Sequence, residues 1–305
     1  MLFRSDTGIE SIKKLVETAQ ASARQALQST ATTARYSGSV ANLTGTSSFA
    51  VANGNTITVN DGTATTTITS TGTLTVQQII DAVNTGAATK VKASLTSDGR
   101  IQLEATGANT IVIAGTATTP EQAQFGLVAG ATAAGTVSTA RSNLATQYNT
   151  LLTQIDKLAQ DASFNGVDLI YGGGLKVLFN EQSTTSLTIA GVKLDSSGLA
   201  LSAAGSSFQT DYDINAAITQ LNTAFGTLQS QASTFGSNLS VVQFRQDFMK
   251  SMINTLKSGA DNLTLADTNE EGANMLALQT RQSLSTTALS LAAQASNAVL
   301  RLFGG

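Results

Sequence analysis

Residues 266–305 read ADTNEEGANMLALQTRQSLSTTALSLAAQASNAVLRLFGG. Thr268 stands three residues before Glu271, the spacing of a capping box. Asp267, Glu270 and Glu271 crowd acid into a first turn, where the positive end of a helix favours it. A capped helix start accounts for these carboxylates without metal or acid–base chemistry. Apolar and small residues then recur at Ala277, Leu284, Ala288, Leu291, Ala295, Ala298 and Leu302. A second row runs beside them through Leu278, Ser285, Leu289, Ala292, Val299 and Phe303. The spacing predicts a helix with a wide apolar face. No charged side chain lies between Arg281 and Arg301, and Ser, Thr, Gln and Asn fill the other face. That polar face argues against a membrane span, so the helix calls for other helices around it.

Composition narrows the chemistry. Only 12% of the 305 residues are charged and 5% aromatic, with one Pro and no Cys, His or Trp. Without Cys there is no disulfide framework, thiolate nucleophile or Cys-ligated metal. Without His there is no Ser-His-Asp triad, no HExxH zinc site and no imidazole base. Carboxylate or Lys chemistry survives this cut, but most hydrolase designs do not; the chain is expected to be no enzyme and to carry no cofactor. A net charge of -3 argues against a nucleic-acid partner. The N-terminus, MLFRSDTGIESIKK, lacks the apolar region of a secretory signal, and no run of eighteen apolar residues exists anywhere.

Taken in order, residues 6–36 hold a first helix with Asp6 or Thr7 as N-cap and a seam at Ile9, Ile12, Val16, Ala19, Ala23 and Ala26. Residues 1–5 differ in character from the helical segment after them; Leu2 to Ser5 is read as translated adapter sequence, with the gene expected to start upstream. From 37 to 137 helical spacing gives way to Thr, Ser, Gly and β-branched residues. A hairpin is expected at Asn53-Gly54, a turn at Asp61-Gly62 and a second hairpin across Ser97-Asp98-Gly99, with Leu95, Ile101 and Leu103 inward. A short helix is expected with Val76, Ile79, Ile80 and Val83 on one face and Gly86 as its stop, then a strand at TIVIAG and a helical turn opened by Pro120. This segment reads as a small inserted α+β domain. Residues 138–211 give a second helix with a seam at Leu144, Tyr148, Leu151, Ile155, Leu158 and Ala162, then a β-hairpin from LKVLFN and SLTIAGVKL. Gly172 to Gly174 lacks the Lys-Ser/Thr pair of a phosphate loop.

Residues 212–265 form the longest periodic segment. Ile214, Ile218, Leu221, Phe225, Leu228, Ala232, Phe235, Leu239, Val242, Gln246, Met249, Ile253, Leu256, Ala260 and Leu263 keep a 4-3 alternation. Fifty residues of helix span about 75 Å. Gly226 and Gly236 each cost about 1 kcal/mol relative to Ala, so the helix is expected to lean on a bundle. Leu221, Leu228, Phe235, Leu239, Val242, Met249, Ile253 and Leu256 are expected to pack within the rod. Leu284, Ala288, Leu291, Ala295, Ala298 and Leu302, on the 266–305 helix, are expected to meet other subunits. The fold class is mainly α: a long antiparallel coiled-coil-like rod with a β-hairpin and the inserted domain.

These residues carry a family likeness. The 266–303 helix, with Asp267, Glu271 and its Leu-Arg-Leu-Phe ending, resembles the C-terminal helix of bacterial flagellins of alphaproteobacterial type. DKLAQDASFNGVDLI at 156–170 resembles the helix exit at Phe164-Asn165-Gly166 that leads into their β-hairpin, and SLTIAGVKLDSSGLAL fits that hairpin. Residues 6–29 resemble the end of their first rod helix, and the insert resembles a repeat module of flagellins and hook-associated proteins.

The resemblance implies an extracellular structural subunit of the flagellar filament, exported without a cleaved signal and self-assembling through terminal helices for motility. Its implied partners are other flagellin subunits, an export chaperone and the filament cap, with no nucleic acid and no membrane. Against the family pattern, the N-terminal helix that pairs with the C-terminal one is missing, so the chain as written is expected not to build a normal filament. Residues 19–25, AQASARQ, match a face read by an innate immune receptor; only Arg24 is basic, which implies weak recognition. Two alternatives stand beside the filament subunit: a hook–filament junction protein, and a flagellin-like surface protein whose insert binds a ligand.

Overall fold

The computed structural model describes residues 2–163, 166–180, 182–264 and 267–304. They form two compact units, Met1–Val242 and Gln243–Gly305. The chain is mainly α, with a long C-terminal helix and short strands.

Three helices build the first core: α1 (Leu2–Gln28), α4 (Thr139–Asp161) and the start of α5 (Asp211–Thr264). The α1 seam Ile9, Ile12, Val16, Ala19, Ala23 and Ala26 is buried against Tyr148, Leu152 and Ile155 of α4 and Ile214, Leu221, Leu228 and Phe235 of α5. Small residues in the α1 seam let helices approach closely, and each large apolar side chain buried opposite contributes about 1.5–3 kcal/mol. α1 and α4 run antiparallel: Gly8 faces Ala162 at one end, and Arg141 reaches Ser29 at the other. Polar ties lie outside the seam, with Gln20 donating to Asn222 at 2.6 Å and the Lys13 ammonium 5.5 Å from the Phe225 ring. α1 begins at Leu2, so Asp6 and Thr7 lie inside the helix and neither is its N-cap. α4 starts on Ser138, whose hydroxyl accepts the Arg141 N–H. The Phe164-Asn165 part of the helix exit lies outside the described residues. Beyond it, β10 (Leu175–Leu178) and β11 (Ser186–Ile189) pair antiparallel, and Ile189, Leu194, Leu199 and Leu201 join the helical core.

A second core lies between α1 and α4. A three-stranded sheet is ordered β1 (Arg35–Ser37), β7 (Ile101–Ala105), β6 (Val91–Leu95). A four-stranded sheet is ordered β4 (Thr65–Thr69), β3 (Thr56–Asn60), β8 (Val112–Ala114), β9 (Gly130–Ala131). β2 (Ser48–Ala50) pairs with β5 (Thr73–Thr75). α2 (Val76–Thr85) carries Val76, Ile79, Ile80 and Val83 into this core, and its capping box joins Thr75 to Gln78. α3 (Thr119–Gln124) opens with Pro120 in its first turn. β4 alternates buried Thr66 and Ile68 with exposed Thr65, Thr67 and Thr69, the period of a half-buried strand.

Of the two expected hairpins, β6–β7 forms across Asp98-Gly99, and the expected turn at Asp61-Gly62 joins β3 to β4. Ile101 and Leu103 are fully buried, and Leu95 is partly so. The hairpin expected at Asn53-Gly54 does not form, because β2 pairs with β5 and β3 with β4. A two-residue type I′ turn needs positive φ at both central residues, and here Gly54 has φ 84° while Asn53 is not in that region. The segment is instead drawn toward α3, where Glu121 accepts the Ala52 N–H at 2.7 Å and the Asn55 side-chain amide at 3.0 Å.

Just before α5, Ser206, Ser207 and Phe208 all have positive φ, 45°, 51° and 59°. Left-handed backbone costs an L-residue about 1–2 kcal/mol. The turn is held by burial of the Phe208 ring, 5.1 Å from that of Tyr148, and by Arg141, which donates to the Phe208 and Gln209 carbonyls.

The second unit holds the remainder of α5 and helix α6 (Thr268–Phe303). The N-cap of α6 is Asp267, whose carboxylate accepts the Asn269 N–H at 2.9 Å. Thr268 is therefore the first helical residue, and the expected Thr268–Glu271 box gives way to a cap one residue earlier. A carboxylate there both satisfies an orphan N–H and faces the positive helix end.

Candidate subunit-interaction surface

α5 outruns its partners. It has 54 residues, against 27 in α1 and 23 in α4. Its apolar seam is buried at Leu221, Leu228, Phe235 and Val242, with Leu239 half-buried against the same core. From Gln243 onward the seam continues without cover: Met249, Ile253 and Leu256 are exposed, Leu256 to 65%. On the other side of the helix stand Phe244, 75% exposed, and Phe248, one helical turn apart. At 3.6 residues per turn the 4-3 seam and these two phenylalanines face opposite ways, so a reading of that seam alone misses them.

α6 has the same character, with every residue from Thr268 to Leu302 exposed. Leu284, Leu291 and Leu302 are 66%, 60% and 82% exposed, and Ala288, Ala295 and Ala298 lie open between them. Scattered apolar residues are ordinary on a protein surface, but a continuous row this long makes a candidate interaction surface. The row follows from the sequence: alternating Leu and Ala at 4-3 spacing makes a ridge with shallow gaps, suited to close approach of another helix. Among the described residues, no group of three or more His, Cys, Asp and Glu could hold a metal, and no helix is long and apolar enough to cross a membrane.

Electrostatics is concentrated elsewhere, where the inserted sheets meet the helices. Glu104 of β7 is fully buried, pairs with Arg35 of β1 and accepts the backbone N–H of Asp211 at 2.5 Å. Asp211 takes Arg35 at 2.7 Å on one carboxylate oxygen and Arg141 at 2.8 Å on the other. Burial pushes the Glu104 carboxyl up from its ordinary value, the Asp211 charge adds to this, and Arg35 opposes it. In a chain with so few charges, these four isolated ones at 35, 104, 141 and 211 were the available sequence signal. No local periodicity links them.

Comparison with known proteins finds matches in both parts of the chain. The family model for the bacterial flagellin C-terminal helical region matches residues 200–303, covering α5 and α6. The flagellin hook IN motif matches residues 56–107, from the start of β3 to just past β7. Flagellin FljM of Caulobacter vibrioides is 34% identical over 161 residues, covering 52% of this chain and 59% of that protein. Flagellin FljO of the same organism is 33% identical over 169 residues, covering 55% and 62%. Flagellin A of Rhizobium meliloti is 36% identical over 91 residues, covering 30% and 23%. The chain thus spans less than two thirds of the length of these curated relatives. The D1-D2-D3 domains of the Escherichia coli flagellar cap protein FliD align over 77% of this chain and 95% of that one, at 14% identity and a TM-score of 0.17, too low to establish a shared fold. Two flagellin family models and several flagellin relatives thus make this chain similar to the bacterial flagellins in its C-terminal helices and in its inserted sheets.

Proposed function

We propose that this protein is a structural, non-catalytic subunit of an extracellular bacterial flagellar filament that self-assembles through its C-terminal helix. The observation that carries the reading is the uncovered apolar row of α6, from Leu284 through Ala288, Leu291, Ala295 and Ala298 to Leu302, inside the segment that matches the flagellin C-terminal region. Covering such a row removes each large side chain from water at a gain of about 25 cal/mol per Å² of apolar surface. In this reading the helices of the first core form a coiled-coil-like rod, the inserted domain projects outward, and Met249, Ile253 and Leu256 extend the rod packing once neighbours are present. The partners are further flagellin subunits, with an export chaperone and the filament cap acting during delivery. Arg24 is the only basic residue on its stretch of α1, which supports weak recognition by the innate receptor.

Immunogold labelling of flagella from the producing cell tests the role. A filament subunit labels the whole length. Label confined to one point near the hook would assign the chain to the hook–filament junction, and no label on flagella would end the reading.

A further inference from the structure

The inserted domain is joined to the helices by two stretches of chain, residues 29–34 and 132–138, and these lie together. The Thr136 N–H donates to the Thr32 carbonyl at 2.8 Å, and the Thr32 hydroxyl donates to the Thr136 carbonyl at 2.7 Å. Gly135 lies so near the other stretch that a Cβ there would collide with the Ala34 backbone nitrogen. Two hydrogen-bonded stretches make a stalk, and a stalk alone is a hinge: it fixes where the domain is attached but leaves its tilt soft.

Four paired charges supply a third connection, made through Glu104 and Asp211, which lie far from the stalk in sequence. Glu104 belongs to the central strand of the sheet β1-β7-β6, and it grips the first residue of α5 through the Asp211 N–H. Arg35 bridges the Glu104 and Asp211 carboxylates, and Arg141 closes the series on Asp211. Arg141, 1% exposed, also donates to the Ser29 carbonyl at the end of α1 at 3.0 and 3.1 Å. The order is minus, plus, minus, plus, and every member is ion-paired. Burying such a series gains little net stability over an apolar plug of the same shape. What it supplies is directionality: an apolar plug tolerates rotation, whereas four charges in alternation fit one arrangement.

We infer that the Glu104–Arg35–Asp211–Arg141 series is an orientation lock, which turns a hinged inserted domain into an arm held at a fixed angle to the helices. Asp211 is its pivot, a positioning residue that ties the inserted sheet to the same helix that continues toward the second unit.

The absence of cysteine makes the test direct. Thr67→Cys on β4 and Thr153→Cys on α4, both at exposed positions, carry spin labels in the full chain, and pulsed dipolar spectroscopy reads their distance distribution. The parent is expected to give one narrow distribution. Asp211→Ala and Arg35→Ala are each expected to widen it about two-fold or more, the signature of a freed hinge. Hydrogen exchange on β3 and on the middle of α4 must stay protected, showing that both cores remain folded. Removing the exposed Asp98–Arg100 pair by Arg100→Ala is expected to leave the width unchanged. Should Asp211→Ala fail to fold, Arg35→Ala decides, because Arg35 is partly exposed and Arg141 keeps its partner. An unchanged width in folded Arg35→Ala, or equal widening in Arg100→Ala, overturns the lock.

Discussion

Glu121 accepts the backbone N–H of Ala52 at 2.7 Å, 69 residues away in sequence. The same carboxylate caps α3 through the Thr118 N–H and hydroxyl and takes the Asn55 amide. These donors hold its carboxyl down, to about 2, with the Ala52 bond the largest cause. One side chain therefore replaces the hairpin that Asn53-Gly54 would otherwise make. Glu121→Ala is expected to expose the Ala52 and Thr118 amides to rapid hydrogen exchange while the β6–β7 amides stay protected. Persistent protection at Ala52 would mean that the loop is held by other means.

The two structural glutamates give opposite pH slopes. The folded-state carboxyl of Glu121 lies below the ordinary 4.5, so its stabilisation is full above that value and fades as pH falls toward about 2. Glu104 lies above 4.5, so the folded chain binds its proton more readily than the unfolded chain. Its contribution is therefore greatest in acid and is lost as pH rises through the raised value. Urea unfolding from pH 3 to 7 is expected to lose the upper slope in Glu104→Gln, in which Gln102, Arg35 and Asp211 face a neutral group, and the lower slope in Glu121→Gln.

The seam of α5 divides at Val242. Phe235→Ala is expected to destabilise the first unit by about 3–5 kcal/mol and Leu228→Ala by about 2–5 kcal/mol, as cavity-forming changes in a packed core. Leu256→Ala and Leu284→Ala are expected to move the monomer's stability by no more than about 0.5 kcal/mol. Chemical unfolding followed by helix signal checks both. The exposed pair reports instead in assembly: Leu284→Ser with Leu291→Ser should block incorporation into seeded filaments, read by electron microscopy.

The left-handed turn before α5 offers a stabilising change. Ser207 has φ 51°, a conformation glycine adopts without strain. Ser207→Gly is expected to raise stability by up to about 1 kcal/mol, the relieved strain being partly offset by the freer unfolded chain. A lowered melting temperature would show that the serine side chain contributes more than its backbone costs.

Most of the helical framework was legible because burial repeats every three or four residues: Ile9 to Ala26, Tyr148 to Ile155 and Ile214 to Phe235 are in the core as their spacing implies. α2 was legible for the same reason, with the Thr75–Gln78 box fixing its start. What escaped was set by contacts distant in sequence. The partner of β2 depends on where Glu121 arrives, and the start of α1 at Leu2 is supported by burial of Ser5, which no local cap signal announces. The cap of α6 fell to Asp267 because a carboxylate was available one residue before the threonine that the box pattern favours. The four charges at 35, 104, 141 and 211 share no period, so only the folded chain brings them together.

The hydrogen-bonded pair Thr32 and Thr136 has an evolutionary consequence. A segment whose two ends are hydrogen-bonded neighbours can be shortened, lengthened or replaced with little change in the cost of closing the loop, which grows only as the logarithm of its length. Such a position behaves as a cassette port. A foreign domain grafted between residues 32 and 136 would keep the helical framework beneath it. To be held at a set angle, it would have to bring its own carboxylate to the vacated Asp211 N–H.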